Sequence, residues 1–224
     1  MLTRSSPRGV AFGRCAGRFY PGFGGRAVMI CPAFGFEGLV ARAAATRLAE
    51  MIAELGTPTL VFDYRGDGDS ADLEGGPDLA SMIEDAEAAA AFLREAGARA
   101  IGLVGLRLGA AVAAALSVAR DDVDDLALLA PVTSGREHLR ELRALAAMMA
   151  RPGRAGDPDA ALDLAGFALS PAFAASVEAF DLDVVATHAK SVLTQTVIAN
   201  SDMVASLTPS TGLVTAGSDV AATA

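Results

Sequence analysis

The chain has 224 residues, 52% apolar and 20% charged, with a formal net charge of −9. The length suits one domain with a sizeable core, and the apolar share excludes an intrinsically disordered chain. The negative charge argues against a nucleic-acid or polyphosphate surface. The first twenty residues hold four arginines and no apolar run of signal-peptide length, so no export signal is expected.

In chain order, a first strand is expected over residues 14–20, stopped by Pro21-Gly22-Phe23-Gly24-Gly25. A strand over residues 27–31 opens into the loop Pro32-Ala33-Phe34-Gly35-Phe36-Glu37-Gly38. Apolar residues at three- and four-residue steps then predict a helix from about 40 to 55, closed by Gly56 and Pro58. Residues 59–62 read as a buried strand running into Asp63-Tyr64-Arg65-Gly66-Asp67-Gly68-Asp69-Ser70. A helix over 79–96 leads to a strand over 100–104 and a helix over 110–119. Residues 121–125 read as an acidic surface turn before a strand over 126–130. Helices are expected over 136–150 and 159–180, separated by Pro152-Gly153-Arg154-Ala155-Gly156, and a strand over 191–198.

This alternation predicts an α/β domain over 1–224, with a mostly parallel sheet covered on both faces. A helical cap is expected as an insertion at 135–183, and 203–224, rich in Ser, Thr, Ala and Gly, as a poorly ordered tail that does not complete the sheet. Cys15 and Cys31 lack metal or redox spacing and read as reduced core thiols, which suits the cytoplasm. No metal site or cofactor is expected. Residues 100–119 are apolar enough to suggest a membrane span. Arg107 would then sit mid-bilayer at a cost of roughly 2.5–3.5 kcal/mol, and the glycines fit a turn better.

That turn, Gly105-Leu106-Arg107-Leu108-Gly109, joins a strand to a helix. Glycines two residues before and after the centre remove the Cβ atoms that would clash in a sharp bend. A guanidinium stays protonated and only donates hydrogen bonds, so Arg107 cannot attack a carbonyl.

Four segments in order, the 31–38 loop, Phe62-Asp63-Tyr64-Arg65-Gly66-Asp67-Gly68-Asp69-Ser70, the Arg107 turn and Ala130-Pro131-Val132-Thr133-Ser134-Gly135-Arg136, resemble the α/β-hydrolase superfamily. The likeness is to serine aminopeptidase-like and exosortase A system-associated hydrolases, and it spans residues 14 to about 202. It implies an α/β-hydrolase fold in which Arg107 stands where the nucleophilic serine belongs. It implies backbone oxyanion donors at Phe34 (or Ala33) and Leu108. It also implies an acid at Asp202, within Ala199-Asn200-Ser201-Asp202-Met203-Val204. The histidine that should follow is missing, and Ser218 stands at its place. His138 and His188 both precede Asp202; His138, amid Arg136, Glu137, Arg140, Glu141 and Arg143, reads as a solvated or capping residue. The 63–70 turn reads as structural, with Gly66 and Gly68 allowing positive φ and Asp63 and Ser70 satisfying turn amides.

Several functions stay open. One is hydrolysis of a small ester, amide or acyl substrate, with Ser134 or Ser70 as an unusual nucleophile or a base from another chain. Another is a non-catalytic binding module holding a small anionic ligand through Arg107. A third has Arg107 paired internally with Asp202 or Glu37. The chain also reads as a truncated or frame-shifted copy of a longer protein. The exosortase likeness implies a bacterial setting linked to exopolysaccharide export.

Overall fold

The structure, a computed structural model, describes residues 6–149, 162–164, 166–182, 191–195 and 212–215. It opens with a hairpin, β1 (Arg8–Phe12) and β2 (Cys15–Tyr20), turning through Gly13 at φ 54°. There follow β3 (Arg26–Cys31), α1 (Gly35–Glu54), β4 (Thr59–Phe62), α2 (Leu79–Glu95), β5 (Ala100–Leu106), α3 (Gly109–Ala119) and β6 (Val123–Leu129). An insertion of α4 (Gly135–Met149), the short hairpin β7 (Leu162–Leu164) and β8 (Phe167–Leu169), and α5 (Pro171–Glu178) precedes β9 (Ser191–Gln195) and β10 (Gly212–Thr215).

Eight strands form one sheet in the order β1-β2-β4-β3-β5-β6-β9-β10. The run β4-β3-β5-β6-β9 is parallel, and the pairs β1–β2, β2–β4 and β9–β10 are antiparallel. The central strands are near-continuous apolar runs because helices cover both faces. Successive side chains point to opposite faces. Met29, Leu103 and Leu126 therefore join α2 and α3 in the larger core, whereas Ile30 joins Ala45 and Ala49 of α1 on the other side. Helix α2 starts at a reciprocal cap: Asp78 Oδ1 accepts the Ser81 N–H at 2.8 Å, and Ser81 Oγ accepts the Asp78 N–H at 2.9 Å.

The structure departs from the sequence-based expectations in five places. Strand β1 precedes the first expected strand, because Gly13 and Arg14 form a turn instead of extending β2. Helix α1 begins at Gly35, within the expected loop; a Cβ at Gly38 would press on the Ala33 carbonyl, so a residue that reads as loop-forming is required by helix packing. Residues 123–125 belong to β6 and not to a surface turn. Asp124 is buried, and Arg26 neutralises it at 2.9 Å while also bonding Asp125. Residues 162–164 and 167–169 pair as the β7–β8 hairpin where a helix was expected. Gly166 turns it at φ 97°, and Ser170 with Pro171 starts a separate helix, Ser170 Oγ accepting the Phe173 N–H at 3.0 Å. Residues 212–215 pair with β9 as an edge strand, although their surroundings in the sequence are polar. Asp202, His188 and Ser218 lie outside the described residues.

Candidate functional site at the strand–helix turn

Arg107 sits between β5 and α3 with φ 51°, a left-handed conformation that is costly for any residue with a Cβ. The two glycines let the chain make this bend. A Cβ at Gly105 would come within 2.7 Å of the Gly109 carbonyl oxygen, and one at Gly109 would run into the carbonyl oxygens of Cys31 and Pro32. The loop after β3 is thus pressed directly against the turn. Arg107 is held there by its own backbone: its N–H donates to Leu129 O at 3.1 Å, and its carbonyl accepts the N–H groups of Ala110 and Val132 at 3.0 and 3.3 Å.

The Arg107 side chain turns inward to a carboxylate. Its Nε donates to Glu37 Oε1 at 2.7 Å, its Nη1 donates to Ala130 O at 3.3 Å, and its Nη2 lies 3.5 Å from Glu141 Oε2. Glu37 lies in the first turn of α1, where a carboxylate is favoured by the helix dipole. Arg107 and Glu37 expose only 32% and 23% of their side chains.

His138 of α4 completes this cluster. Its Nε2 is 3.7 Å from Glu37 Oε2 and its Nδ1 is 4.0 Å from Glu141 Oε2. The imidazole is 4% exposed, and Nδ1 has no hydrogen-bond partner among the described residues. Burial pushes its pKa below the ordinary histidine value; Glu37 opposes this, Arg107 adds to it, and Glu141 opposes it. His138 is therefore not the solvated residue expected from its charged neighbours in the sequence. A signal for this was present: His138, Leu142 and Leu145 follow i, i+4, i+7, the spacing of a buried helical stripe. With His138 neutral, one guanidinium faces two carboxylates, a net charge of −1 for the cluster.

The expected oxyanion donors are the residues that precede α1 and α3. Phe34 and Leu108 are their N-caps, and neither N–H has an acceptor among the described residues. The Leu108 side chain is buried, as is Ala33. The Phe34 ring lies 5.2 Å from Phe173 of α5 and 6.5 Å from Tyr64, whose hydroxyl donates to Pro32 O at 3.2 Å. Two further contacts bring the insertion over this end of the sheet. Phe167 and Leu169 approach Gly35, and the Leu79 N–H donates to Ser176 Oγ at 3.1 Å.

The alternative nucleophiles have structural duties. Ser70 Oγ donates to Asp63 O at 2.5 Å and accepts the Ala16 N–H at 2.8 Å, which fits the structural reading of the 63–70 turn. Gly66 and Gly68 adopt φ of 80° and 55° there. Ser134 Oγ accepts the Glu137 N–H at 3.4 Å at the start of α4. Cys15 and Cys31 are free and buried, and burial pushes each thiol up to about 12. Among the described residues no group of His, Cys, Asp and Glu could hold a metal ion. A groove of about 560 Å³ lies between α1 and the β1–β2 hairpin, reaching Arg18, Arg42 and Asp63 but not Arg107.

The family described as "Serine aminopeptidase, S33" matches residues 28–163, more than half the chain. Similar solved structures include a hypothetical protein from Pseudomonas aeruginosa (17% identity, 82% of this chain and 74% of that one, TM-score 0.60). Est1E from Butyrivibrio proteoclasticus, solved with ferulic acid bound, is comparable (17%, 84% and 77%, 0.60). An esterase from Pyrococcus furiosus is similar over less (18%, 62% and 56%, 0.53). The chain spans 77% of the length of one solved neighbour that it matches and 55% of another. No curated protein matches it in sequence. No helix among the described residues is long and apolar enough to cross a membrane. From its match over residues 28–163 and its parallel sheet with flanking helices, the chain belongs to the serine aminopeptidase S33 family and has an α/β-hydrolase fold.

Proposed function

We propose that this hydrolase-family protein does not run the serine-nucleophile cycle, because an internal ion cluster occupies the place of the attacking hydroxyl. The observation that carries this reading is the Nε hydrogen bond from Arg107, at the strained centre of the turn, to Glu37. Arginine takes the position of the serine, and its cation is neutralised from within the fold. Asp202 is the counterpart of the triad acid by its place in the sequence. An acid without a hydroxyl or a partnering imidazole accelerates little, since loss of the nucleophile alone costs about 10⁶ in kcat in a serine protease. Residues 135–183 act as a cap in this reading. The narrower kinship with exosortase-associated hydrolases and a cytoplasmic setting belong to the same proposal.

A second reading is favoured by the N–H groups of Phe34 and Leu108, which lack acceptors among the described residues. A small acyl or anionic ligand would accept from them and from Arg107. The two carboxylates beside Arg107 weigh against it, because an anion would have to displace Glu37 from the guanidinium.

The test uses the full chain with a fluorophosphonate probe and p-nitrophenyl acetate. No covalent labelling is expected, and ester turnover should be no faster in wild type than in Arg107→Ala. A labelled serine, with turnover lost when that serine is mutated, overturns the proposal. A thermal-shift series with small organic acids separates the second reading: stabilisation that disappears in Arg107→Ala supports ligand capture over internal pairing.

A further inference from the structure

The cluster around Arg107 joins three parts of the chain that are far apart in sequence: α1 through Glu37, the β5–α3 turn through Arg107, and α4 through His138 and Glu141. We propose that it is a proton-operated latch, in which protonation of His138 releases α4 from the turn and from α1. This rests on the reading above that internal pairs fill the site, and it adds how that filling is controlled.

The argument is geometric. An imidazolium needs an acceptor at each nitrogen, at about 2.7–3.2 Å. Among the described residues, the carboxylate oxygens nearest His138 lie at 3.7 Å and 4.0 Å, too far for a hydrogen bond. Both of those carboxylates already face Arg107, Glu37 at 2.7 Å and Glu141 at 3.5 Å. A proton on His138 would therefore put a charge in a position almost closed to water, with no acceptor among the described residues in hydrogen-bond reach. It would offset the cluster's net charge of −1, but the nearer carboxylate, Glu37, is already held by Arg107 through Oε1.

The other charged groups packed around α4 lie at its surface. Arg136 is 4.0 Å from Glu178 of α5, Glu137 is 3.9 Å from Arg140, and Asp163 of β7 accepts the Gly166 N–H at 2.7 Å. Asp181, beyond α5, forms a backbone bridge with Ser134. Among the described residues, the groups that face the ring are thus Glu37, Arg107 and Glu141. Neutral His138 closes the latch well, packing with Leu139 and Leu142 against the core.

The sign follows from linkage. Closed, His138 holds its proton less tightly than a free histidine, so the released state binds more protons below about pH 6.5. The stabilisation of the closed state is complete above that value and is lost as pH falls toward the lowered one.

The chain has two histidines, so His188→Gln leaves His138 as the only imidazole. In that full-length background, ¹⁵N-histidine NMR reads the His138 titration, and amide protection factors over α4 are measured between pH 7.5 and 5. The titration midpoint should lie below that of the unfolded chain. Protection of α4 should fall as pH drops, by up to about tenfold per pH unit, while β3 and β5 keep theirs. Added His138→Gln should flatten the α4 profile. A midpoint at or above the unfolded value, or α4 protection that does not change with pH, overturns the latch. The NMR arm does so even if His138→Gln fails to fold. Fluorophosphonate treatment of the same sample keeps the two proposals apart: labelling sinks the reading of the site, and unchanged protection without labelling sinks only the latch.

Discussion

Two glycine-containing turns end the parallel strands that flank β3, one after β4 and one after β5, and they are stabilised in opposite ways. In the first, residues 63–70 satisfy one another: Asp63 accepts the Asp69 N–H at 3.1 Å, and Ser70 bridges Asp63 and Ala16. Its arginine, Arg65, bonds Asp85 of α2 through both side chain and backbone N–H, and Asp85 is 3% exposed. The second turn places strain on a residue with a Cβ and relies on side chains far away in sequence. Glu37 is 70 positions from Arg107. It also leaves a backbone N–H at Leu108 without an acceptor among the described residues. The contrast separates a turn whose positive φ falls on glycines from one that places it on an arginine held by a distant carboxylate.

The sharpest way to break that contrast is to fill the space at the second turn. Gly109→Val should cost about 3 kcal/mol or more, since the new side chain meets the Cys31 and Pro32 carbonyls, which are backbone and cannot rotate away. Denaturant midpoints measure this, and a wild-type midpoint would mean that the loop after β3 is not pressed on the turn.

Next, Asp85→Ala in the first turn's support should cost about 3 kcal/mol, because it removes the buried carboxylate that accepts both the side chain and the backbone N–H of Arg65. The guanidinium is then left to the exposed Glu84 and the Ser81 carbonyl. Glu37→Gln at the second turn should cost only about 1 kcal/mol, as that pair is partly solvated and the amide still accepts. Urea unfolding of both variants compares them, and equal losses would erase the proposed difference between the turns.

A smaller effect is expected for Ser70→Ala, about 1–2 kcal/mol, from losing one donor and one acceptor in the self-contained turn. The smallest compares two replacements of Arg107. Glycine should be more stable than alanine by about 1 kcal/mol, since only glycine adopts φ 51° without strain. Melting temperatures that rank alanine above glycine would show that the bend relaxes once the guanidinium is gone.

Much of the fold was legible because buried parallel strands are short apolar runs between glycines. Residues 59–62 match β4 end to end, and α2 and α3 lie within one residue of expectation at each end. The start of β6 was hidden because Asp124 and Asp125 look solvated, whereas Arg26, brought alongside by β3 and β5, pairs with both and neutralises the buried Asp124. The β7–β8 hairpin was hidden because its Leu, Ala and Phe content also suits a helix. At the site, the glycine spacing marked the turn and Glu37 was one of two partners considered for Arg107, whereas the burial of His138 was masked by the charges around it in the sequence.

The sequence by itself determined the strand–helix alternation from β3 to α3, the tight bend between β5 and α3, and the cation at its centre, because periodicity, glycine spacing and residue chemistry are local properties. The tertiary structure alone decided that Glu37 neutralises Arg107 and that an α4 histidine is enclosed beside them. Those pairings depend on how the loop after β3 and the insertion after β6 converge over one end of the sheet, and no local pattern encodes which distant carboxylate arrives first.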